Sequence, residues 1–228
     1  MSKVLITGAN RGIGLGLTKT YLANGYDVHA TYRDSAHAKE LLDLARHNHR
    51  LQCHGLDVTD YPAVNKLASQ FSSLDIFISN AGYYGAKGNG LGHTDVDDWR
   101  YTFEVNTIAP LKWVESFYQV LKQGKEKKIA CLSSKMGSIN DNQTGGAYEY
   151  RSSKAALNAV VKSLSIDCEP WGISVIAIHP GWVKTTMGGA QAQIDPLTSA
   201  HGIFDVIDKT NLKKSGQFFN YDGSRLVW

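Results

Sequence analysis

Residues 3–14 read Lys3-Val4-Leu5-Ile6-Thr7-Gly8-Ala9-Asn10-Arg11-Gly12-Ile13-Gly14, an apolar run that stops at a cluster of glycines. The run Lys3–Thr7 predicts a short, buried parallel strand, and a helical pattern follows the glycines through Asn24. Glycines between a strand and a helix permit a tight turn and let the backbone approach a pyrophosphate at the positive end of the helix. The spacing Gly-x-x-x-Gly-x-Gly in this position therefore favours dinucleotide binding over a generic strand-to-helix turn.

The second predicted strand, Asp27–Tyr32, completes a strand–helix–strand unit and bears on which nucleotide binds. A nucleotide with a free ribose 2′-hydroxyl usually meets Asp or Glu at the end of this strand. Here Arg33 follows the strand instead, and its guanidinium can hold a 2′-phosphate with two hydrogen bonds. Arg11 can approach the same phosphate, so the sequence favours NADP(H) over NAD(H). Asp34 leaves an alternative open, because it can pair with Arg33 or cap the next helix, predicted at Ser35–His47.

Strands and helices alternate along the rest of the chain. Apolar runs predict strands at Arg50–Leu56, Leu74–Ser79, Lys127–Leu132, Ile173–His179 and near Gly216–Tyr221. Helical patterns run from Pro62 to near Phe71, from Val96 to about Lys122, through Tyr150 to Gly172, and near Gly202–Lys209. Two segments are expected to be loops: glycine-rich Tyr83–His93, and Met187–Ala200, which is expected to be mobile and able to cover a substrate. Because no second core interrupts the alternation, the sequence predicts an α/β fold over residues 1–228, one domain with a single Rossmann-type doubly wound parallel sheet flanked by helices.

The composition excludes several classes of protein. The 228 residues carry 24 basic and 21 acidic side chains, and the net charge of +3 is too small to predict a nucleic-acid partner. No apolar run approaches the roughly 20 residues of a membrane span, and no apolar signal precedes Lys3. The three cysteines lack a Cys-x-x-Cys spacing and are expected to be reduced thiols. The chain is therefore expected to be a soluble, cytoplasmic protein without a metal site, acting on a small molecule.

Small or polar segments follow three of the predicted strands, at the edge where open parallel sheets bind ligands. Asp57-Val58 follows the third strand, and Asp57 can accept a hydrogen bond from an adenine amino group or cap the next helix. Asn80-Ala81-Gly82 follows the fourth strand, where small residues let the backbone pass beside a ribose. Pro180–Thr185 follows the sixth, where backbone groups can meet a carboxamide and Thr185 can reach a phosphate.

Tyr150 and Lys154 lie four positions apart in a predicted helix, so their side chains share one face. A phenol has an ordinary pKa of about 10, and a cation held nearby lowers that pKa. A tyrosine tuned in this way can hand a proton to a carbonyl oxygen and take it back. Ser133 and Ser134 bring hydroxyl groups to the same edge from the end of the fifth strand, and either can share that oxygen. The spacing alone is also compatible with an ordinary exposed helix face.

Asn106 is a polar amide within an apolar stretch of the helix predicted from Val96, shortly before Pro110. An interior proline removes a helix hydrogen bond and kinks the chain. Because a buried amide needs a partner, Asn106 can bond a carbonyl that the kink frees, hold a water molecule in a proton relay, or do both.

Together these motifs resemble the short-chain dehydrogenases/reductases, in the classical group of that family, along nearly all of the chain. They occur in the family's order: Thr7-Gly8-x-x-x-Gly12-x-Gly14, Asn80-Ala81-Gly82, Asn106, the serine segment, Tyr150-x-x-x-Lys154 and Pro180-Gly181. The segments Tyr150–Asn158, His179–Lys184 and Tyr221–Gly223 are similar to those of the C-factor and sniffer-type carbonyl reductases. The resemblance implies a sheet with strand order 3-2-1-4-5-6-7.

The resemblance also implies a role for each site residue. Tyr150 is implied as the general acid in reduction, Lys154 as the group that lowers its pKa and binds the nicotinamide ribose, and Asn106 as the holder of a relay water. The family's active serine lies three residues before a glycine, here Gly137, which selects Ser134 over Ser133. The expected cofactor-binding residues are Gly8, Asn10, Arg11, Gly12, Ile13, Gly14, Arg33, Asp57, Val58, Asn80, Ala81, Gly82, Tyr150, Lys154, Pro180, Gly181, Val183 and Thr185.

The sequence thus predicts an NADPH-dependent carbonyl reductase acting reversibly on an aldehyde, a ketone or a secondary alcohol. The alternative is an NADP-binding signalling or redox-sensing protein on the same fold, which has no need of the set Ser134, Tyr150 and Lys154. Four residues flank the expected site and are candidates for substrate binding or for ordinary packing: Met136, Tyr148, Trp182 and Met187. The chain is short after the Pro-Gly loop for this family, so the pocket is expected to be open or completed by another subunit of a homodimer or homotetramer.

Overall fold

The architecture is known from a computed structural model that describes residues 1–86 and 90–228. The strands in these residues are β1 Lys3–Ile6, β2 Asp27–Tyr32, β3 Leu51–Gly55, β4 Ile76–Ser79, β5 Lys128–Leu132, β6 Ser174–His179 and β7 Phe218–Asn220. They form one sheet in the order β3-β2-β1-β4-β5-β6-β7, with parallel pairing between neighbours. The predicted fold class and strand order are therefore confirmed. Residues 87–89, part of the predicted loop Tyr83–His93, lie outside the described residues.

The helices cover both faces of the sheet. They are α1 Gly12–Ala23, α2 Lys39–Arg46, α3 Tyr61–Ala68, α4 Val96–Phe103, α5 Ala109–Lys122, α6 Tyr148–Asp167 and α7 Pro196–Asp208. Helices α1, α2 and α7 contribute to one apolar cluster, whereas α3, α5 and α6 contribute to the other. In β1, Val4 and Ile6 belong to the first cluster and Leu5 to the second, as the two-residue period of a strand requires. Because both faces are covered, a parallel strand of this kind is apolar throughout.

The helix predicted from Val96 to Lys122 is continuous but contains a π-helical turn, Glu104–Ile108, between α4 and α5. Pro110 lies in the first turn of α5, directly after this π turn. Isolated π turns occur frequently at functional sites, and this one carries Asn106.

The second half of the segment Met187–Ala200, which was expected to be mobile, is helical and packed. Helix α7 begins at Pro196, well before the predicted start near Gly202, and the Asp195 carboxylate accepts hydrogen bonds from its first N–H groups at 2.9 and 3.0 Å. Ala200 is fully buried against α1, where a Cβ on Gly16 would lie 3.0 Å from the Ala200 Cβ. The end of this segment, Ser199 and Ala200, is therefore part of the core, whereas Pro196 lines the cleft described below.

The order of the strands places a ligand site at one edge of the sheet. The chain crosses from one side of β1 to the other between β3 and β4, so loops after β1 and β4 diverge to opposite faces. Ligands of open parallel sheets bind in the crevice that forms at such a reversal. Among the described residues, no helix combines the length and the apolar character needed to cross a membrane.

Two half-buried histidines form a pair on neighbouring strands, His29 in β2 and His54 in β3. His29 Nδ1 lies 3.0 Å from His54 Nε2, and the rings stack with centroids 5.3 Å apart. One nitrogen must donate and the other accept, so this bond is lost when both rings are protonated. Burial, with help from His54 and Lys3, lowers the pKa of His29 to about 4, and burial also lowers the pKa of His54.

We expect the protein to lose stability as the pH falls from about 6.5 to about 4. Unfolded His29 has its ordinary pKa of about 6.5, so in this window the unfolded state binds more protons than the folded state and unfolding becomes more favourable. The loss is on the order of 2 kcal/mol after a discount for partial solvent screening. Urea unfolding across this range should show a shallower pH dependence for His29→Gln than for the wild type. His49→Gln, at an exposed position, is the control, and equal slopes for His29→Gln and wild type would contradict the expectation.

Candidate active site

A cleft of about 1070 Å³ lies along the carboxyl edge of the sheet, where the strand order reverses. The predicted site residues that line it are Gly8, Asn10, Arg11, Gly12, Ile13, Gly14, Arg33, Asp57, Val58, Asn80, Ala81, Gly82, Tyr150, Lys154, Pro180, Thr185 and Met187. They come from six loops or helices that are distant in sequence. The fold thus brings most of the predicted residues into one continuous site.

The glycine turn between β1 and α1 is shaped by close backbone packing. Gly8 and Gly12 have φ of +63° and +54°, which a residue with a side chain rarely adopts. A Cβ on Gly14 would lie 2.3 Å from the carbonyl oxygen of Gly8, so no side chain fits there. Arg11 precedes the first turn of α1, and that turn carries no acidic residue. The positive end of α1 is therefore open to an anion in the cleft.

Asn80 holds this turn in place. Its Nδ2 donates to the carbonyl oxygens of Thr7 and Gly8 at 2.8 and 2.9 Å, and its own N–H donates to Thr7 Oγ1 at 3.0 Å. A Cβ on Gly8 would lie 2.9 Å from Ala81 Cα, so the small residues after β4 permit close approach of the two loops. Their expected contact with a ribose stays a prediction.

Asp34 was expected either to pair with Arg33 or to cap the next helix, and it caps a helical turn. Its Oδ1 accepts a hydrogen bond from the Ala36 N–H at 2.9 Å, and its Oδ2 lies 2.8 Å from His37 Nδ1. These bonds, that of the Ala36 N–H first, lower the pKa of Asp34. The capped element is a short 3-10 turn, Ser35–His37, so the predicted helix Ser35–His47 is divided and α2 begins only at Lys39. Asp34 is therefore not the partner of Arg33.

Asp57 does not cap the helix that follows it. Its Oδ1 accepts hydrogen bonds from the N–H and hydroxyl of Thr59 at 2.9 and 2.8 Å, whereas Asp60 caps α3. Its Oδ2 lies 3.8 Å from Arg33 Nη1 in the cleft. The helix-cap alternative is therefore wrong for Asp57, and the contact with an adenine amino group stays a prediction.

The donors of the cleft fit a dinucleotide that carries an additional phosphate. The N-terminus of α1 offers backbone N–H groups to a pyrophosphate. Arg11 and Arg33 both line the cleft, and each guanidinium can bind a phosphate with parallel hydrogen bonds. Arg11 is held by Thr186, whose Oγ1 accepts from Arg11 Nη1 at 3.3 Å.

Tyr150 stands in the first turns of α6 and is 8% exposed. Burial raises the pKa of Tyr150 to about 12, although hydrogen bonding with Ser134 acts in the opposite direction. The ring of Tyr84 lies 4.6 Å from the Tyr150 ring and raises that pKa further. The phenol therefore keeps its proton at neutral pH, where it can donate it.

Lys154 is a buried cation one helical turn beyond Tyr150. Its Nζ donates to the carbonyl oxygen of Leu132 at 2.8 Å and lies 5.8 Å from the centre of the Tyr150 ring. Burial lowers the pKa of Lys154 to about 8. Lys154 is not among the groups that shift the pKa of Tyr150: burial raises that pKa, and the opposing effect comes from Ser134. The expected lowering by this ammonium is therefore not found among the described residues.

The two serines after β5 have different environments. Ser133 Oγ donates to Asn158 Oδ1 at 2.6 Å, within the core. Ser134 Oγ accepts from the Met136 N–H at 3.1 Å, and Ser134 is the group that acts to lower the pKa of Tyr150. Ser133 lines the cleft and Ser134 does not, so the choice of Ser134 stays a prediction. Gly137 is needed because a Cβ there would lie 2.8 Å from the Lys154 backbone carbon, where α6 packs on the turn.

Asn106 on the π turn pairs with the loop after β4. Its Oδ1 accepts from the Tyr83 N–H at 2.8 Å, and its Nδ2 donates to the Tyr83 carbonyl at 2.7 Å and to Ser153 Oγ at 3.0 Å. The amide is fully buried. Its partners are thus the Tyr83 backbone and α6 rather than a carbonyl freed by a proline kink, and its role in a water relay stays a prediction.

Seven predicted residues are not part of the cleft lining: Ser134, Asn106, Gly181, Val183, Met136, Tyr148 and Trp182. Gly181 has φ of +83° and packs on Ile194, and Val183 is buried and forms a β-bridge with that same residue. Trp182 is half exposed and donates from Nε1 to the Gly188 carbonyl at 2.9 Å. Of the four candidates for substrate binding, only Met187 lines the cleft.

The lining residues that were not foreseen include His37, Tyr101 and Thr186. The His37 carbonyl accepts from Asn10 Nδ2 at 3.0 Å, which ties the glycine turn to the segment after β2. Tyr101 comes from α4, on the other side of the point where the strand order reverses. Local pattern carries no signal for such residues, because only the strand order brings them to the cleft.

Comparison with known proteins identifies the family of the chain. A family model described as short chain dehydrogenase matches residues 2–195. The C-signal protein of Myxococcus xanthus is 42% identical over 155 residues, which cover 68% of this chain and 93% of that protein. The carbonyl reductase Sniffer of D. melanogaster has a TM-score of 0.95 at 36% identity, with 100% of both chains covered. The NADPH-bound carbonyl reductase from chicken fatty liver has a TM-score of 0.94 at 36% identity, covering 100% of this chain and 99% of that one.

Proposed function

The chain belongs to the short-chain dehydrogenase family of oxidoreductases, and on that premise we propose that it is an NADP(H)-dependent carbonyl reductase. The observation that carries the proposal is that Tyr150 and Lys154 line the same cleft as the glycine turn, while Ser134 lies close enough to Tyr150 to act on its pKa. A protonated phenol, a second hydroxyl and a buried cation are the groups that reduction of a carbonyl requires from a protein.

The cofactor is NADP(H). Arg11 and Arg33 line the cleft, and no acidic residue ends β2, as expected when a 2′-phosphate rather than a free 2′-hydroxyl must be held. The similar chicken carbonyl reductase is described as NADPH-bound. When bound, NADPH supplies the hydride that reduces the carbonyl carbon.

The chain's own residues manage the proton. Tyr150 donates its phenolic proton to the carbonyl oxygen as that oxygen gains negative charge. Ser134, which acts to lower the pKa of Tyr150, donates a hydrogen bond to the same oxygen. The Lys154 ammonium, 5.8 Å from the Tyr150 ring, stabilises the phenolate that remains. In the reverse direction the phenolate removes the proton from a secondary alcohol.

The test is loss of NADPH absorbance in the presence of a panel of aldehydes and ketones. We expect turnover of at least one class of carbonyl, and a higher kcat/KM with NADPH than with NADH. A flat signal across a broad panel, together with tight NADPH binding, would contradict the proposal and favour an NADP-binding signalling or redox-sensing protein. The name of the Myxococcus relative, C-signal, makes that outcome worth resolving.

A further inference from the structure

Arg33 is held by a tyrosine that lies on a different element. Arg33 Nη1 donates to Tyr101 Oη at 3.2 Å and lies 3.8 Å from Asp57 Oδ2. Arg33 follows β2 and Tyr101 lies in α4, so the contact joins segments 68 residues apart across the cleft. The Arg33 side chain is 70% exposed, and without such contacts a side chain of this length would sample many rotamers.

Tyr101 is itself well supported. Its ring packs edge-on against the Tyr83 ring, with centroids 5.1 Å apart and an interplanar angle of 69°. Tyr83 is fixed at both ends, since its hydroxyl donates to Asp98 Oδ1 at 2.8 Å and its backbone pairs with Asn106. The Tyr101 hydroxyl is therefore presented from a rigid base.

The contact with Tyr101 orders Arg33 without compensating its charge, because a phenol oxygen is an uncharged acceptor. The Asp57 carboxylate forms an ion pair with Arg33 at 3.8 Å, which is beyond hydrogen-bond distance, so it leaves the other N–H donors of the guanidinium unoccupied. Among the described residues both polar contacts of Arg33 fall on Nη1, which leaves the N–H groups of Nη2 and Nε for a ligand. A guanidinium ordered in advance loses less entropy when it binds an anion.

We propose that Tyr101 is a positioning residue that sets the preference of this protein for nucleotides with a 2′-phosphate, by holding the guanidinium of Arg33 ready for that phosphate. The proposal rests on the use of NADP(H) proposed above. It concerns only the adenosine end of the cleft, so it is testable without a carbonyl substrate.

Calorimetric titration of Tyr101→Phe with two fragments tests the proposal. Adenosine 2′,5′-bisphosphate carries the 2′-phosphate, and 5′-AMP lacks it. We expect Tyr101→Phe to lower the affinity for the bisphosphate by about 3- to 10-fold, as the loss of one hydrogen bond to a charged group implies. The affinity for 5′-AMP should be unchanged. Phe keeps the ring that packs on Tyr83, so the variant is expected to fold.

Two comparisons separate positioning from general damage. Tyr118→Phe in α5, where the tyrosine packs against Trp171, should change neither affinity. In an Arg33→Ala background, Tyr101→Phe should cause no further loss of bisphosphate binding. An equal loss for both fragments, or a full loss in the absence of Arg33, would overturn the proposal.

Failure of the proposed role of Tyr101 can be distinguished from failure of the proposed reductase function. Wild-type protein that binds both fragments equally would overturn the preference for NADP(H), and the role of Tyr101 with it. If the protein prefers the bisphosphate but turns over no carbonyl, only the proposed reductase activity is contradicted, and the role of Tyr101 stands.

Discussion

Tyr150→Phe is expected to lower kcat for carbonyl reduction by about 10²- to 10⁴-fold, the usual contribution of a positioned general acid. The substitution removes one hydroxyl from a ring that is 8% exposed and keeps the packing with Tyr84. Because burial holds the Tyr150 pKa at about 12, the wild-type phenol is protonated at neutral pH and the variant lacks the proton donor altogether. Initial rates with NADPH and a ketone measure the effect.

Cofactor binding separates this interpretation from misfolding. The groups expected to hold the phosphates lie at the glycine turn and at Arg33, away from the Tyr150 hydroxyl. The dissociation constant of NADPH should therefore change by less than about 3-fold, which corresponds to less than one typical hydrogen bond. Tyr148→Phe, two residues earlier and 37% exposed, is the matched control and should remain active. Turnover close to the wild-type value in Tyr150→Phe would end the assignment of Tyr150 as the acid.

The sheet was predictable because its signals are local. The run Lys3–Thr7 is apolar on both faces and ends in glycines, a pattern typical of a parallel strand buried between two layers of helices. The start of α7 also has a local signal, since Asp195-Pro196 places a capping acid before a proline at the first helical position. That signal was outweighed by the small and polar residues around it, which suggested a loop.

Other features depend on contacts that a single sequence does not display. Asn106, in the π turn Glu104–Ile108, pairs with the Tyr83 backbone, 23 residues away. The link between Arg33 and Tyr101 needs the strand order before it can be seen. The Tyr150 pKa depends on how deeply the ring is buried, and spacing along a helix does not report burial.

Lys154→Met is expected to abolish most activity and yet to stabilise the protein at neutral pH. Lys154 is 4% exposed, and burial lowers its pKa from the ordinary 10.5 to about 8. At about 1.36 kcal/mol per pKa unit, holding the charge inside costs about 3 kcal/mol at pH 7. Met has a similar length and no charge. The substitution loses the hydrogen bond to the Leu132 carbonyl, which lowers the free energy of unfolding by about 1–2 kcal/mol. The net gain in the free energy of unfolding is then about 1–2 kcal/mol.

The pH dependence of that gain identifies its cause. A cation whose folded pKa is depressed destabilises the fold fully below about pH 8, and the penalty fades as the pH rises to the unfolded value of about 10.5. The stability difference between Lys154→Met and wild type should therefore shrink between pH 8 and about pH 10.5. Urea unfolding of the cofactor-free proteins at several pH values measures it, with the exposed Lys162→Met as a control that shows no such trend. A variant less stable than wild type at pH 7 would mean that the ammonium is paired favourably, whereas retained activity would mean that the phenolate of Tyr150 does not need it.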